Sequence, residues 1–590
     1  MVPTQLVELL TLLAAFPLLS SAQLTPSPTY APPSPTAGLA KSSSTPNTQW
    51  ANVLGNSLYF FDAQRSGKLD QGTYGNRVAW RNDSALNDGS DYGVDLTGGW
   101  YDAGDYIKAT FPLVHTLFAI SWSALTHGQG YSIASQTAYL DGTLRWGYDW
   151  LMKAHPSDDV LFVQVGDSDI DNSYWGGDRN IATPRPAFPV NSSFPGTDVW
   201  AASSAALAMA SLLYSNATYS PFASSQQPAN PSLSNTTYSA QLLDHATRLY
   251  TVANTTKQVS FATSIPAVAS AYGSSGWGDD MALAALSLAL ATNQSRYYAD
   301  AYRWYGRYSL TGTSFVYNWD SKTPAVFVLF VEAARANPSL ARGAGLAVNE
   351  TGWQREAENY FDRVINGQTT NTYRTGAGLQ LWRGDSDFAS LNPALAFTML
   401  LLKYAPMASS IDKSNQYTAF AQTQIDYVMG KNPANAVYMV GSHPNSPKNP
   451  HSAPASGGTG FTNLRTNPPQ NIHTLYGAVV GGPLANDLYW DWRDDWVQAE
   501  IALDYNAAIP GIAAMQLANS SSPDPYYVNV QAGTYSIPSG QPCDAALPCG
   551  NRLPAGAIAG IVLGCLAFLV LVAGLIWWGR RRRRYSGKGV

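Results

Sequence analysis

Two acidic clusters near opposite ends of one long segment carry the residues best suited to chemistry. The first is Gly98-Gly99-Trp100-Tyr101-Asp102-Ala103-Gly104-Asp105. The second is Asp491-Trp492-Arg493-Asp494-Asp495-Trp496-Val497-Gln498-Ala499-Glu500. Splitting a glycosidic bond needs one carboxylic acid to protonate the leaving oxygen and one carboxylate acting on the opposite side. Both clusters are set among aromatic residues, whose faces suit the C–H groups of sugar rings. Taken singly, each has a plainer reading. Asp-Ala-Gly-Asp is commonly a turn, in which Asp bonds its own backbone and Gly takes the bend. Glu500 before an apolar run reads as a solvated helix residue.

Composition narrows the ligand. Charged residues make up 13% of the 590 and aromatics 12%, with 34 Tyr and 18 Trp. Few charges and many rings suit a neutral, hydroxyl-rich ligand better than a polyanion. The net charge of −5 argues against nucleic acid, which calls for a basic surface.

The elements that must position the clusters are mostly helices. Apolar residues recur at helical spacing over 111–125, 143–153, 198–213, 281–291, 324–336, 356–365, 393–404 and 417–429. Gly, Pro, Asn or Ser residues follow most of them and can end them. Strand-like alternation is sparse. The expectation is a mostly helical domain with long Gly/Pro-rich and aromatic loops, where substrate and catalytic groups usually sit.

The flanks suggest export and anchoring. Residues 1–22 combine an apolar stretch with a small-residue ending, Ser20-Ser21-Ala22, and read as a secretory signal. Residues 23–47 are rich in Pro, Ser and Thr and read as an extended spacer. The main domain is expected over 48–517, followed by an extracellular linker over 518–554. Residues 555–578 form an uncharged apolar run long enough to span a bilayer, and the tail 579–590 opens with Arg580 through Arg584. That order predicts a single-pass type I protein in the plasma membrane with its main domain outside. A glycosylphosphatidylinositol signal is the rival, and five arginines after the apolar run speak against it. Glycosylation triplets at Asn82, Asn191, Asn216, Asn235, Asn254, Asn293, Asn349 and Asn519 fit an exterior domain. Cys543 and Cys549 can pair across a short loop, Cys565 falls in the apolar run, and the main domain holds no cysteine. No Cys/His grouping has zinc spacing and no EF-hand loop occurs, so no metal ligands are assigned; scattered calcium-binding carboxylates would leave no readable trace.

A series of blocks then resembles glycoside hydrolase family 9, the cellulase family E of inverting endoglucanases. In order they are Phe60-Phe61-Asp62-Ala63-Gln64-Arg65-Ser66-Gly67-Lys68-Leu69, Arg77-Val78-Ala79-Trp80-Arg81, and the run from Val94 through Asp105. Pro195-Gly196-Thr197-Asp198-Val199, Trp319-Asp320-Ser321-Lys322 and Val479-Val480-Gly481-Gly482-Pro483 follow. The last block has Tyr489, Asp491, Trp496, Glu500, Ala502 and Asn506-Ala507 at the family's spacing. The resemblance covers essentially the whole main domain and overturns the plainer readings of both acidic clusters.

It implies an (α/α)6 barrel whose loops form an open cleft for a β-1,4-glucan chain, with no cofactor required. Carried over by position, Asp105 resembles the general base that activates water, Asp102 its partner in holding that water, and Glu500 the general acid. Tyr438-Met439-Val440-Gly441 followed by His451 resembles the family's histidine loop. There His451 takes the first place, while Ser452 and Ala453 replace a second histidine and an arginine. The loss of arginine removes a charged, multi-donor substrate contact. Trp319 and Trp382 resemble aromatic residues lining the cleft, and Trp175 and Tyr505 are further candidates for stacking on sugar. The expected activity is endo-β-1,4-glucan hydrolysis. An exo-acting or oligosaccharide-trimming enzyme, or a weakly active wall-glucan binding or remodelling protein, are the alternatives.

Overall fold

Every residue of Thr197–Tyr214 is buried, whereas Ser295–Arg307 buries only Tyr297, Tyr298, Ala301 and Trp304. The first pattern belongs to a helix surrounded by others, the second to a helix with one face on a core. That contrast organises the molecule. The computed structural model describes residues 23–27, 29–70, 75–215, 217–222 and 233–549. Among them are twelve helices of ten residues or more: α1 (Thr48–Ala63), α2 (Thr110–Ile133), α3 (Thr137–Ala154), α4 (Thr197–Tyr214), α5 (Thr236–Thr255), α6 (Gly278–Thr292), α7 (Ser295–Arg307), α8 (Thr323–Ala336), α9 (Glu350–Ile365), α10 (Leu391–Tyr404), α11 (Ile411–Val428) and α12 (Ile509–Ala518).

The even-numbered helices form a closed ring. Helix α2 packs on α4, α4 on α6, α6 on α8, α8 on α10, α10 on α12, and α12 returns to α2. Each odd-numbered helix packs outside one of them, giving the six helix pairs of an (α/α)6 arrangement. The eight stretches expected from apolar spacing all fall on these helices, and α1, α5, α7 and α12 are additional. Helix α12 escapes a sequence reading because it starts Ile509-Pro510-Gly511. Proline is tolerated in the first turn, and Gly511 is needed because a Cβ there would lie 2.5 Å from Ser123 Oγ. The named strands are few: the antiparallel set β1 (Lys108–Ala109), β2 (Leu161–Val165) and β3 (Ala187–Val190), and the hairpin β4 (Thr372–Arg374) with β5 (Gln380–Trp382).

The spacer expected over 23–47 is corrected by the structure, since it packs on α1. Tyr30 lies over Gly55, where any Cβ would sit 2.3 Å from its ring, and donates to Asn56 Oδ1 (2.7 Å). Gln49 Nε2 donates to the Ala37 carbonyl (2.9 Å). The first half of the expected linker behaves likewise. Trp50 Nε1 donates to the Pro523 carbonyl (2.7 Å), and Asp524 accepts from the Ser42 backbone N–H (3.2 Å) and Asn47 Nδ2 (2.7 Å). A segment poor in apolar residues cannot build a core, but it can cover one that already exists. Helix α1 is buried nearly all round for this reason, which also erases the one-sided spacing that would reveal it.

A second unit begins at Gln541, and in its described part Cys543 and Cys549 are disulfide-bonded. Among the described residues no helix is long and apolar enough to cross a membrane. The expected signal at 1–22, the apolar run at 555–578 and the tail at 579–590 lie outside the described residues.

Candidate active site

Inner and outer helices alternate along the chain, so the six inner helices run in one direction and start at the same end of the ring. The two acidic clusters meet there, in the loops that enter α2 and α12. The Leu503 N–H donates to the Asp102 carbonyl (2.9 Å), and the Ala453 N–H to the Gly104 carbonyl (2.7 Å). The His451 N–H donates to Ala499 O (2.7 Å), and the Gly481 N–H to Glu500 O (2.8 Å). The loops approach so closely that a Cβ on Gly104 would lie 2.2 Å from the His451 carbonyl oxygen. This explains the glycine in Asp-Ala-Gly-Asp better than a turn does.

Five carboxyls converge on this point: Asp102, Asp105, Asp171, Glu500 and Asp504. Among the described residues none of them forms an ion pair. Asp102 is buried, accepts from the Tyr272 hydroxyl through Oδ2, and has no partner at Oδ1. Asp105 is partly exposed, and its Oδ1 likewise has no hydrogen-bond partner. Burial, then the charge of Asp504, pushes the Asp102 carboxyl well up, against the Tyr272 hydrogen bond. Burial followed by Asp171 and Asp102 does the same to Asp105. Glu500 is pushed up to about 8 by burial, Asp105 and Asp504, with the Gly104 backbone opposing. Asp504 rises to about 7 through burial, although Asn392 donates to its Oδ2 at 2.7 Å. The site can therefore hold protons at neutral pH on carboxyls that would otherwise be ionised.

Trp319, Tyr505 and His451 are partly exposed around the carboxyls. The Trp319 ring meets Tyr272 edge-on at 4.9 Å and Phe111 at 6.0 Å. His451 contacts the Arg493 carbonyl through Nδ1 (2.6 Å), and burial lowers it to about 4. A carbonyl can only accept, so Nδ1 carries the proton and Nε2 is the acceptor. Two expected sugar platforms do not present a face. Trp382 is fully buried against Phe397, and Trp175 is 4% exposed beneath His451, with ring centroids 4.8 Å apart. Trp382 ends a strand whose residues are all buried, so it belongs to the core; Trp175 backs the histidine.

A family model described as glycosyl hydrolase family 9 matches residues 50–513. The chain belongs to glycosyl hydrolase family 9. It is 33% identical over 496 residues to Endoglucanase 10 of Arabidopsis thaliana, covering 80% of this chain and 88% of that one. Endoglucanase A of Bacillus pumilus is 33% identical over 468 residues, with 78% of this chain matched; the match spans 65% of that protein's own length. The endoglucanase of the termite Nasutitermes takasagoensis has the same fold, with a TM-score of 0.69 and 33% identity over 80% of this chain and 98% of that one. The cellulase Cel9M of C. cellulolyticum, solved with cellobiose, superposes with a TM-score of 0.67 at 28% identity, over 79% and 98%. The protein is thus a glycoside hydrolase with endo-1,4-β-glucanases as its relatives.

Family 9 hydrolysis works through side-chain carboxyls and water and needs no cofactor. Among the described residues no group of three or more His, Cys, Asp or Glu is placed to hold a metal ion. Around the carboxyls the scaffold is rigidly tied. Lys108 pairs with Asp88 (2.8 Å) and donates to the carbonyls of Leu96 (2.9 Å) and Gly98 (2.8 Å), while Arg185 pairs with Asp88 (2.8 Å) and holds the Tyr106 carbonyl (2.8 Å). Burial opposes ionisation of Asp88, but Lys108 and Arg185 together hold it below the usual carboxylate range. The two departures from the family's histidine loop also have a physical setting. Ser452 is buried at the start of a short helical turn, and Ala453 is buried with Tyr101, Tyr106 and Trp175.

Sequence reasoning missed Tyr272, Asp171, Asn392 and Asp504. Asp504 was within reach, since it stands one turn after Glu500 and beside Tyr505. Tyr272, Asp171 and Asn392 come from separate loops and helix starts, and only folding brings them to the carboxyls.

Proposed function

We propose that this family 9 hydrolase is an inverting endo-β-1,4-glucanase anchored in the plasma membrane with its catalytic domain outside the cell. The observation that carries the catalytic reading is the pairing of Glu500, whose proton is held up to about pH 8, with Asp102 and Asp105, each offering a carboxyl oxygen without a protein partner. Asp105 acts as general base and, with Asp102, holds the attacking water. Tyr272 fixes Asp102 by donating to its second oxygen. Water attacks the anomeric carbon from the face opposite the leaving oxygen, its proton passing to Asp105 while Glu500 protonates the departing sugar. The product anomer is therefore inverted.

Trp319 and Tyr505 stack on glucosyl rings on either side of the cleaved bond, and neutral His451 accepts a hydrogen bond from a sugar hydroxyl through Nε2. The relatives named above, and the cellobiose bound to Cel9M, support β-1,4-glucan as the substrate class. Anchoring rests on the apolar run at 555–578 followed by the five arginines, with export led by residues 1–22.

The test is hydrolysis of a soluble β-1,4-glucan by the full chain, with Glu500→Gln and Asp105→Asn beside the wild type and the product anomer followed by NMR. Inverted product, lost in both variants, is expected. Fresh product of retained configuration, or undiminished turnover in both variants, sinks the mechanism. Topology is tested by protease treatment of intact cells, which should release the catalytic domain and leave the C-terminal tail protected.

A further inference from the structure

The glycosylation triplets differ in what surrounds their asparagines. Asn82 is committed: its Nδ2 donates to Asp178 Oδ1 (2.9 Å), a carboxylate that also pairs with buried Arg81 (2.8 Å). Asn235 and Asn349 accept from the first turns of α5 and α9 through Oδ1. Asn191 and Asn519 each close an Asx turn through Oδ1, and of the two Asn519 is the more exposed. It is exposed directly after α12, and its Oδ1 accepts from the Ser521 N–H (3.1 Å), closing an Asx turn across its own triplet. Its Nδ2, the atom that forms an N-glycosidic bond, donates to no described residue.

Asn519 also stands on the rim of a cavity of about 830 Å3 at the C-terminal ends of the inner helices, the end of the ring away from the catalytic carboxyls. Helices α2, α10, α11 and α12 contribute its walls. Among the described residues, none lining it is Asp, Glu, Lys or Arg. Gln129, Asn415, Thr418, Gln422 and Gln516 offer neutral amides and hydroxyls, and Met515 adds an apolar surface. This chemistry fits an uncharged saccharide with N-acetyl groups. A sugar attached at Asn519 would enter at the high effective concentration of an intramolecular ligand, which a free sugar lacks.

We propose that Asn519 carries an N-linked glycan whose first sugars lie in this cavity. In the transfer, the Asn519 amide nitrogen bonds to the anomeric carbon of a lipid-pyrophosphate-linked oligosaccharide. The bond from that carbon to pyrophosphate breaks, the lipid pyrophosphate leaves, and the nitrogen loses one proton. The proposal rests on the secretory reading above. It places the glycan on the face where it supports the helix ends and leaves the cleft open.

The experiment uses the full chain produced in a secreting eukaryotic host. After denaturation, a glycan-releasing amidase in heavy-oxygen water marks each formerly occupied asparagine as heavy aspartate, read by peptide mass mapping. Asn519 should be marked and Asn82 unmarked. On the folded protein, release from Asn519 should be slower than at an open triplet such as Asn349 by about tenfold or more, the protection given by a docked state favoured tenfold over the undocked one. Denaturation should abolish the difference. Ser521→Ala should remove the modification and leave hydrolytic activity unchanged. Occupied triplets elsewhere with Asn519 unmarked overturn the proposal. So does an Asn519 glycan released equally fast from folded and denatured protein. If no triplet is marked, the secretory reading itself fails and the proposal falls with it.

Discussion

The two ends of the helix ring each bury charge, and they treat it in opposite ways. At the end away from the carboxyls, Lys403 and Glu332 are completely buried 2.9 Å apart. Glu332 also accepts from Trp122 Nε1 (2.8 Å) and the Tyr219 hydroxyl (2.6 Å), while Lys403 donates to Thr126 Oγ1 (2.7 Å) and the Trp122 carbonyl (3.0 Å). At the catalytic end, five carboxyls stand together without an ion pair. Burial penalises charge at both ends, but Glu332 has a counterion in Lys403 while the five carboxyls have none. The uncompensated end shares fewer protons than it has carboxyls, and a proton held near neutral pH on Glu500 is what acid catalysis needs, while the base Asp105 must be ionised. Structural charge is neutralised by a partner; functional charge is left for the substrate and water to meet.

On the proposed mechanism, removing the Glu500 proton should produce the largest effect. Glu500→Gln should lower kcat by about 10²–10⁴-fold, the usual share of a general acid, measured on a soluble β-1,4-glucan. Its effect on stability should have the opposite sign. Glu500 has a folded-state pKa of about 8, above its ordinary 4.5, so its contribution to stability is full below about pH 4.5 and lost as pH rises through 8. Glutamine cannot ionise. The variant should therefore match the wild type at pH 4 and exceed it at pH 8 by about 4 kcal/mol, an order-of-magnitude figure, read by denaturant unfolding. A variant less stable than wild type at pH 8 breaks the comparison.

The opposite end should respond in reverse. Lys403→Met strands the Glu332 carboxylate in the core and should cost about 3–5 kcal/mol. A double variant that also replaces Glu332 with Leu should recover most of that loss. Turnover per folded molecule should remain near wild type throughout. A large fall in kcat at unchanged stability would mean that the two ends are coupled in catalysis.

Much of this arrangement was legible in the sequence. Helices such as α4 and α10 announce themselves by apolar spacing, and Asp102, Asp105 and Glu500 stand out through ordered family blocks. What stayed hidden has specific causes. Helix α1 lost its one-sided pattern because Tyr30, Ala37, Pro523 and Tyr527 cover its outer face, and the segments that carry them looked like linkers because composition cannot tell that they borrow another element's core. Trp382 looked like a cleft residue, but position in a motif does not report that β5 is buried along its whole length. Tyr272 and Asn392 carry no signal of their own, since their roles exist only where separate loops and helix starts meet.

The same contrast between satisfied and available groups separates two tryptophans. Trp382→Ala should destabilise the domain by about 3–5 kcal/mol, the range for emptying a large core site, and leave KM of the folded fraction unchanged. Trp319→Ala should barely alter unfolding and should raise KM by about tenfold, the equivalent of 1.4 kcal/mol of lost stacking. A raised KM in the Trp382 variant at matched folded fraction would return that residue to the cleft.

The smallest effect tests how the carboxyls hold one another's protons. Asp504 is pushed up to about 7 and is one of the charges that raise Glu500 to about 8. As pH climbs past 7, Asp504 ionises first, and its new charge makes the neighbouring Glu500 proton harder to remove. Asp504→Asn abolishes that charge, so the Glu500 pKa should fall and the alkaline limb of the pH–rate profile should move to lower pH. At pH 5 the wild-type Asp504 is already uncharged, and the variant should turn over at close to the wild-type rate. Asparagine can still accept the Asn392 hydrogen bond, which limits any structural change. An alkaline limb that does not move would place the restraint on Glu500 in burial and Asp105 alone, and Asp504 would then belong with the structural charges of the opposite end.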